Sequence, residues 1–287
     1  MSYREIHYHS QEGLRLYAKD YGDRATVATP IVCLPGLTRN SKDFDSLAER
    51  LAPTRRVLCP DLRGRGKSDY ANRWTDYTPT FETADTLDMM SAAGISDAII
   101  VGTSRGGIIA MLMAAIRPCA LKGVILNDIG PELAPAGLRR IMGYAGRMEA
   151  PGSWDEAAIR LRQMNEHHFP DLNADQWRAF SARTFADENG KPRIDYDPKI
   201  GIALRRTATM AKGKAPTLWP QFRALRHLPV LAIRGENSDL LSKETLARMT
   251  KEHPRLATIT ARDRGHAPFL DEPEVLDAID VFLAGTD

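Results

Sequence analysis

The residues best able to do chemistry are a serine between two glycines, Gly102-Thr103-Ser104-Arg105-Gly106, and a histidine late in the chain, His266. A serine hydroxyl is a poor nucleophile at neutral pH. It needs a base within hydrogen-bond reach and a third group that orients the base. The setting of Ser104 suits this use: the apolar run Ala98-Ile99-Ile100-Val101 reads as a strand, and the apolar stretch Ile108–Ile116 reads as a helix. A serine on a sharp strand-to-helix turn is held strained, with its Oγ exposed. Glycines two residues to either side remove side chains that would collide there. The helix N-terminus adds free N–H groups and a partial positive charge, which favour an oxyanion. The same glycines could serve only a tight turn, but the flanking strand and helix are the context that the nucleophile motif requires.

Seven histidines compete for the role of base. His7 and His9 fall in an N-terminal hairpin, and His227 and His253 at helix ends, where the dipole favours a cation. His167 and His168 are adjacent, so their side chains diverge on a helix and suit packing or solvation better than a metal. His266 lies in Asp263-Arg264-Gly265-His266-Ala267-Pro268, between the last expected strand and the last helix. Such loops collect at the carboxyl ends of parallel strands, the edge that also carries Ser104. Two acids could orient it. Asp239 follows the strand Val230–Ile233 and Asp128 follows the strand Gly123–Leu126. Consecutive strands usually neighbour each other, so Asp239 is the favoured partner of His266, with Asp128 expected behind it or at a cap hinge. Glu236 sits closer to its strand and is a weaker candidate.

The elements that must position these groups alternate strand and helix. Ile6–His9 and Leu14–Lys19 read as a hairpin around Glu12-Gly13. Pro30–Leu34, Arg56–Cys59, Ala98–Val101, Gly123–Leu126, Pro229–Ile233 and Ala257–Thr260 read as strands, several of them apolar throughout. Apolar runs of this kind suit strands buried on both faces. Ser41–Leu51, Phe81–Ala93, Ile108–Ile116 and Glu272–Leu283 read as helices. This order predicts an α/β fold with a mainly parallel sheet covered on both faces. The rhythm breaks between about Pro131 and His227, where Gly137–Met148, Trp154–His167, Asp175–Ala186 and Ile200–Met210 read as helices and no strand is evident. Punctuated by Pro135, Pro151, Pro170 and Pro216, this stretch reads as an inserted helical cap, giving a core of residues 1–130 and 228–287 and a cap of residues 131–227.

Composition narrows the partners. With 39 basic and 37 acidic residues the net charge is +2, too balanced to suggest nucleic acid or an anionic membrane. No apolar run of membrane-spanning length is present, and the N-terminal residues lack an apolar signal core. Cys33, Cys59 and Cys119 are too few and too irregularly spaced for a disulfide framework, which fits a reducing, cytoplasmic setting. Gly66-Lys67-Ser68 resembles the end of a phosphate loop, but Asp61 stands where that pattern needs glycine. The loop Asp61–Asp69 is therefore expected to brace the active edge.

Taken together, Gly102-x-Ser104-x-Gly106 and the chain order Ser104, Asp239, His266 resemble the α/β-hydrolase superfamily over nearly the whole chain. The resemblance is to small cap-bearing esterases, enol-lactonases and metal-free haloperoxidases, and also to carbon–carbon bond hydrolases. It implies a mainly parallel central sheet of about eight strands flanked by helices, with the cap inserted. It also implies an oxyanion donor in the loop Leu34-Pro35-Gly36-Leu37-Thr38, assigned to the N–H of Leu37, with the N–H of Arg105 as the second. Family members usually carry His-Gly where this chain has Pro35-Gly36, which leaves a backbone role intact. Serine at 104 separates the chain from dehalogenases and epoxide hydrolases, which place aspartate there. The expected function is hydrolysis of a small carboxylic ester or lactone through an acyl-serine, with no metal or organic cofactor. Cleavage of a carbon–carbon bond in a diketone-like substrate would use the same residues, and a non-catalytic ligand-binding member of the fold would be expected to lack some of them. Apolar cap residues such as Met148, Met164 and Phe180 are expected partly to pack and partly to line a pocket, and Arg139 and Arg140 to be solvated helix residues.

Overall fold

A computed structural model describes residues 3–210 and 217–286; Pro216, read above as punctuation of the cap, lies outside them. The chain runs through β1 (Arg4–His9), β2 (Arg15–Tyr21), β3 (Ile31–Leu34), α1 (Asp45–Leu51), β4 (Val57–Asp61), α2 (Pro79–Ala92), β5 (Ala98–Thr103), α3 (Arg105–Ile116) and β6 (Leu121–Asn127). Next come α4 (Pro135–Tyr144), α5 (Trp154–Asn165), α6 (Ala174–Thr184), β7 (Phe185–Glu188), β8 (Lys191–Ile194), α7 (Lys199–Met210) and α8 (Trp219–Ala224). The chain closes with β9 (Val230–Gly235), α9 (Lys243–Glu252), β10 (Leu256–Ala261) and α10 (Pro273–Ala284).

Eight strands form one sheet in the order β1-β2-β4-β3-β5-β6-β9-β10. Strand β2 runs antiparallel to both neighbours, and the pairings from β4 to β10 are parallel. The central strands are apolar along most of their length because each face meets its own layer of helices. Along β5, Ile100 packs with residues of α2 and α3 such as Met89 and Ile109. Its neighbours Ile99 and Val101 pack on the other face with Leu47 of α1 and Ile279 of α10. Side chains alternate between faces along a strand, so two buried faces call for apolar residues at successive positions.

Between β6 and β9 the chain departs from expectation in two places. Strands β7 and β8 form an antiparallel hairpin where only helix was read. Its turn is Asn189-Gly190, both residues with positive φ (54° and 79°). This conformation is the one an Asn-Gly turn favours between two strands. Helix α8 falls in the stretch read as cap, yet its Trp219 and Phe222 are buried in the cluster that contains Ile109 and Met113 of α3. Helices α5 and α6 build a small core of their own from Ala157, Leu161, Phe169, Trp177 and Phe185, and Phe269, from the loop of His266, packs against it.

Candidate active site

Ser104 follows the last residue of β5 and precedes the first residue of α3, with φ 52° and ψ −109°. A non-glycine residue rarely tolerates this conformation, and its cost is accepted where a side chain must be aimed. The flanking glycines are required by close packing. A Cβ on Gly106 would lie 2.1 Å from the Leu34 carbonyl oxygen, and one on Gly102 would lie 2.5 Å from the backbone of Gly106 and Gly107. Helix and strand thus approach as closely as backbones allow. The Ser104 N–H donates to the Asn127 carbonyl (3.1 Å), which fixes the turn against β6.

His266 reaches this turn from the loop after β10. Its Nε2 lies 2.8 Å from Ser104 Oγ, and its Nδ1 lies 2.8 Å from Asp128 Oδ2. The structure therefore brings Ser104 and His266 together and supplies Asp128, not Asp239, as the carboxylate on the imidazole. Asp128 is fully buried, with φ 52° in the turn after β6. Its Oδ1 accepts from the Gly235 N–H (2.8 Å), and its Oδ2 also accepts from Ser238 Oγ (2.6 Å). Three donors on one carboxylate leave it a single orientation. Asn127 adds a further tie, donating from Nδ2 to Thr103 Oγ1 (3.0 Å) and to the Pro268 carbonyl (2.9 Å) in the histidine loop.

Asp239 is turned away to the helical segment. Arg140 of α4 donates Nε to its Oδ2 (2.7 Å) and Nη2 to its Oδ1 (2.9 Å), a forked pair. Burial works against ionisation of Asp239, but the hydrogen bonds and charge of Arg140 outweigh it and hold the carboxyl below its ordinary value. The reason for the exchange lies in the loop after β9. The Ser238 hydroxyl takes the place beside Asp128, and the next side chain, Asp239, pairs with Arg140 of α4. The strand argument itself holds, since β9 does lie between β6 and β10. Both acids were within reach, and Arg140 draws one of them off. Arg140 is thus no solvated helix residue, whereas Arg139 is exposed. Glu236 is also away from the imidazole, accepting from the Asp263 N–H at 3.2 Å.

The two expected oxyanion donors flank the nucleophile. Gly36 lies so near that a Cβ there would be 3.9 Å from Ser104 Cβ, and Leu37 follows it in the turn after β3. Arg105 begins α3. Neither the Leu37 nor the Arg105 N–H has a hydrogen-bond partner among the described residues. Ser104, His266 and Leu37 open onto a cavity walled by Met148, Leu161, Met164, Phe180 and Phe269, with Arg39 and Arg140 at its sides. Arg39 is itself occupied, paired with Asp43 and Thr184 and placed over the Phe180 ring.

Other chemistry-bearing residues serve packing. His168 lies against Gly265, with its Nδ1 3.2 Å from the Asn237 carbonyl. His253 is buried against the Leu225 carbonyl, and burial lowers its pKa. The three cysteines are free, two of them buried. Asp61 accepts from the N–H groups of Ser41 (2.8 Å) and Lys67 (2.9 Å), closing the loop that resembled a phosphate cradle onto a carboxylate. Among the described residues no group of three or more His, Cys, Asp or Glu side chains is placed to hold a metal ion, and no helix is long and apolar enough to cross a membrane.

Known proteins agree with this architecture. The model of the alpha/beta hydrolase family matches residues 31–279. A 3-hydroxybutyrate-oligomer hydrolase from Cupriavidus necator is 31% identical over 277 residues, covering 94% of this chain and 93% of that protein. A 2-(acetamidomethylene)succinate hydrolase from Mesorhizobium japonicum is 26% identical over 249 residues, covering 86% of this chain and 85% of that one. The crystal structure of an alpha/beta hydrolase from Novosphingobium aromaticivorans superposes with a TM-score of 0.89 at 39% identity, covering 98% of both chains. With most of its length matched to that family's model, this chain belongs to the alpha/beta hydrolase family.

Proposed function

We propose that the protein is a serine hydrolase that cleaves a small carboxylic ester through an acyl-Ser104 intermediate. One observation carries this reading: a single imidazole stands within hydrogen-bond distance of both the Ser104 hydroxyl and a buried carboxylate. Ser104 Oγ attacks the substrate carbonyl as His266 Nε2 takes its proton. Asp128 holds the ring with Nδ1 protonated and stabilises the imidazolium. The N–H groups of Leu37 and Arg105 receive the developing oxyanion. Collapse of the tetrahedral intermediate expels the alcohol, protonated by His266. The imidazole then activates water to release the acid and free the serine.

The substrate class is drawn from cavity and relatives together. The apolar part of the cavity wall suits a short aliphatic or aryl acyl group. The relative from Cupriavidus necator is named for oligomers of 3-hydroxybutyrate, which are joined by ester bonds, and it spans nearly the whole chain. We therefore favour esters of short hydroxy acids, and lactones of the same size, as substrates. The segment from α4 to α7, with the β7–β8 hairpin, acts in this reading as the cap over the site. A reducing, cytoplasmic setting accords with the three free cysteines.

The test is a panel of 3-hydroxybutyrate dimer and trimer, p-nitrophenyl esters, lactones and a vinylogous diketone, run on wild type and Ser104→Ala. Turnover of esters that vanishes with Ser104 supports the proposal. Turnover of the diketone alone would assign carbon–carbon bond cleavage, and tight binding without turnover would assign a binding role.

A further inference from the structure

We propose that Glu82 is the positioning residue of the oxyanion site, acting through Arg65 and Arg105 on the two residues whose N–H groups form it. The inference rests on the reading of Leu37 and Arg105 as those donors.

Glu82 lies on α2, one layer away from the reacting atoms, and its side chain has no solvent exposure. Its Oε1 accepts from Arg65 Nη1 at 2.7 Å, and its Oε2 accepts from Arg105 Nε at 2.5 Å. Arg65, equally buried, donates Nε to the Leu37 carbonyl at 2.9 Å and Nη1 to the Arg63 carbonyl at 2.6 Å. Arg105 also donates Nη2 to the Tyr77 carbonyl at 3.2 Å. One carboxylate therefore holds Arg105 directly and Leu37 through a single guanidinium. Tyr77 meets the same two arginines, its carbonyl accepting from Arg105 and its ring lying beside Arg65, but only Glu82 meets both with charge.

The need for such a tether follows from the backbone. Leu37 is preceded by Gly36, whose missing side chain restrains the peptide between them less than a Cβ would; one backbone hydrogen bond, from the Arg39 N–H to the Gly36 carbonyl (3.2 Å), holds it on the near side. Rotation of that peptide would swing the Leu37 N–H away from the nucleophile. A fixed Leu37 carbonyl on the far side of the residue opposes the rotation. Arginine suits this work because its planar fork reaches a carboxylate and a carbonyl at once. Two fully buried charges and a third, on Arg105, largely covered are costly and persist only in close mutual contact. Burial disfavours the charged form of Glu82, and the two guanidinium groups outweigh it, holding the carboxyl below its ordinary range. Burial and Arg105 both act against the charge on Arg65, which leaves Glu82 as its counterweight. With both arginines and Glu82 ionised, the cluster carries one excess positive charge. A brace used only for stability could be apolar, whereas this one ends on the two residues assigned to the hole.

Arg65→Lys tests the idea most cleanly, because it keeps a cation for Glu82 but loses the fork that also reaches Leu37. Glu82→Gln is the companion variant. Each would be titrated with a fluorophosphonate to count active sites. Turnover of p-nitrophenyl butyrate, inhibition by an alkyl boronic acid and thermal midpoint would then be measured. The boronate forms a tetrahedral adduct on serine, so its affinity reports the oxyanion site.

The expected result for Arg65→Lys is a kcat per titrated site lower by about 10- to 100-fold and boronate affinity lower by a similar factor. KM should stay within about twofold, since the interaction is made in the transition state. Full kcat and boronate affinity in a titratable Arg65→Lys protein would overturn the proposal, whatever its thermal midpoint. So would a fall in activity matched by a fall in titratable sites. If Glu82→Gln does not fold, Arg65→Lys alone decides. A wild type with neither turnover nor label would fail differently, removing the hydrolase reading and this inference together.

Discussion

His266 Nδ1 and Asp128 Oδ2 meet at 2.8 Å although 138 positions separate them in the chain, and the acid comes from the end of β6. Asp239, one strand nearer to His266 in the sheet, is instead held in a fork by Arg140. The loop after β9 still contributes to the site, through the Ser238 hydroxyl on Asp128.

Removing the charge of each acid separates their roles. Asp128→Asn leaves the shape nearly unchanged but favours the wrong imidazole tautomer, so kcat on an aryl ester should fall by about 10³- to 10⁴-fold. Asp239→Asn should cost less than about tenfold, because it breaks an ion pair that does not touch the imidazole. Steady-state kinetics of the two variants decide the matter, and the opposite ranking would return the orienting role to Asp239.

The Asp239–Arg140 pair should instead show itself in acid stability. The folded carboxyl of Asp239 lies below its ordinary value of 3.8. A depressed carboxyl binds fewer protons when folded, so its contribution is complete above that value and is lost as pH falls through the folded one. Urea unfolding of wild type and Asp239→Asn should differ by about 1–3 kcal/mol at neutral pH, the scale of a charge-assisted hydrogen bond. The difference should shrink as the pH falls below 3.8 and on through the lower folded value. A gap independent of pH would show that the ion pair contributes nothing through its charge.

Much of the arrangement was legible in the chain. Strand β5, the glycines and helix α3 announced Ser104 locally, and the loop after β10 announced His266. The choice between two acids was not local. It depends on the positive φ of Asp128, on Ser238 filling the space beside it and on Arg140 arriving from α4, a helix about 100 residues before Asp239 in the chain. The β7–β8 hairpin was missed although Asn189-Gly190 signals a tight turn, because its strands are short and partly exposed and lack apolar alternation. Helix α8 was read with the cap because nothing in its sequence says that Trp219 and Phe222 pack against α3. The glycines, by contrast, were read correctly in kind: the cost of a side chain there follows from how closely α3 approaches β3 and β5.

Chain-length preference tests the cavity. Met148 lines the same cavity as Ser104, so Met148→Trp should shorten the acyl group accepted. Each methylene that no longer fits is worth about 1–3 kcal/mol, so octanoyl esters should lose at least tenfold in kcat/KM relative to acetyl esters. An unchanged ratio across p-nitrophenyl acetate, butyrate and octanoate would show that the acyl group lies elsewhere.

The central claim is that Ser104 is an activated nucleophile. Intact-mass analysis of the protein after treatment with a fluorophosphonate, followed by peptide mapping, tests it most directly. The account predicts one adduct per chain, located on Ser104 and absent in both Ser104→Ala and His266→Ala. An unmodified wild-type chain, or an adduct that maps to another residue and survives Ser104→Ala, would contradict it.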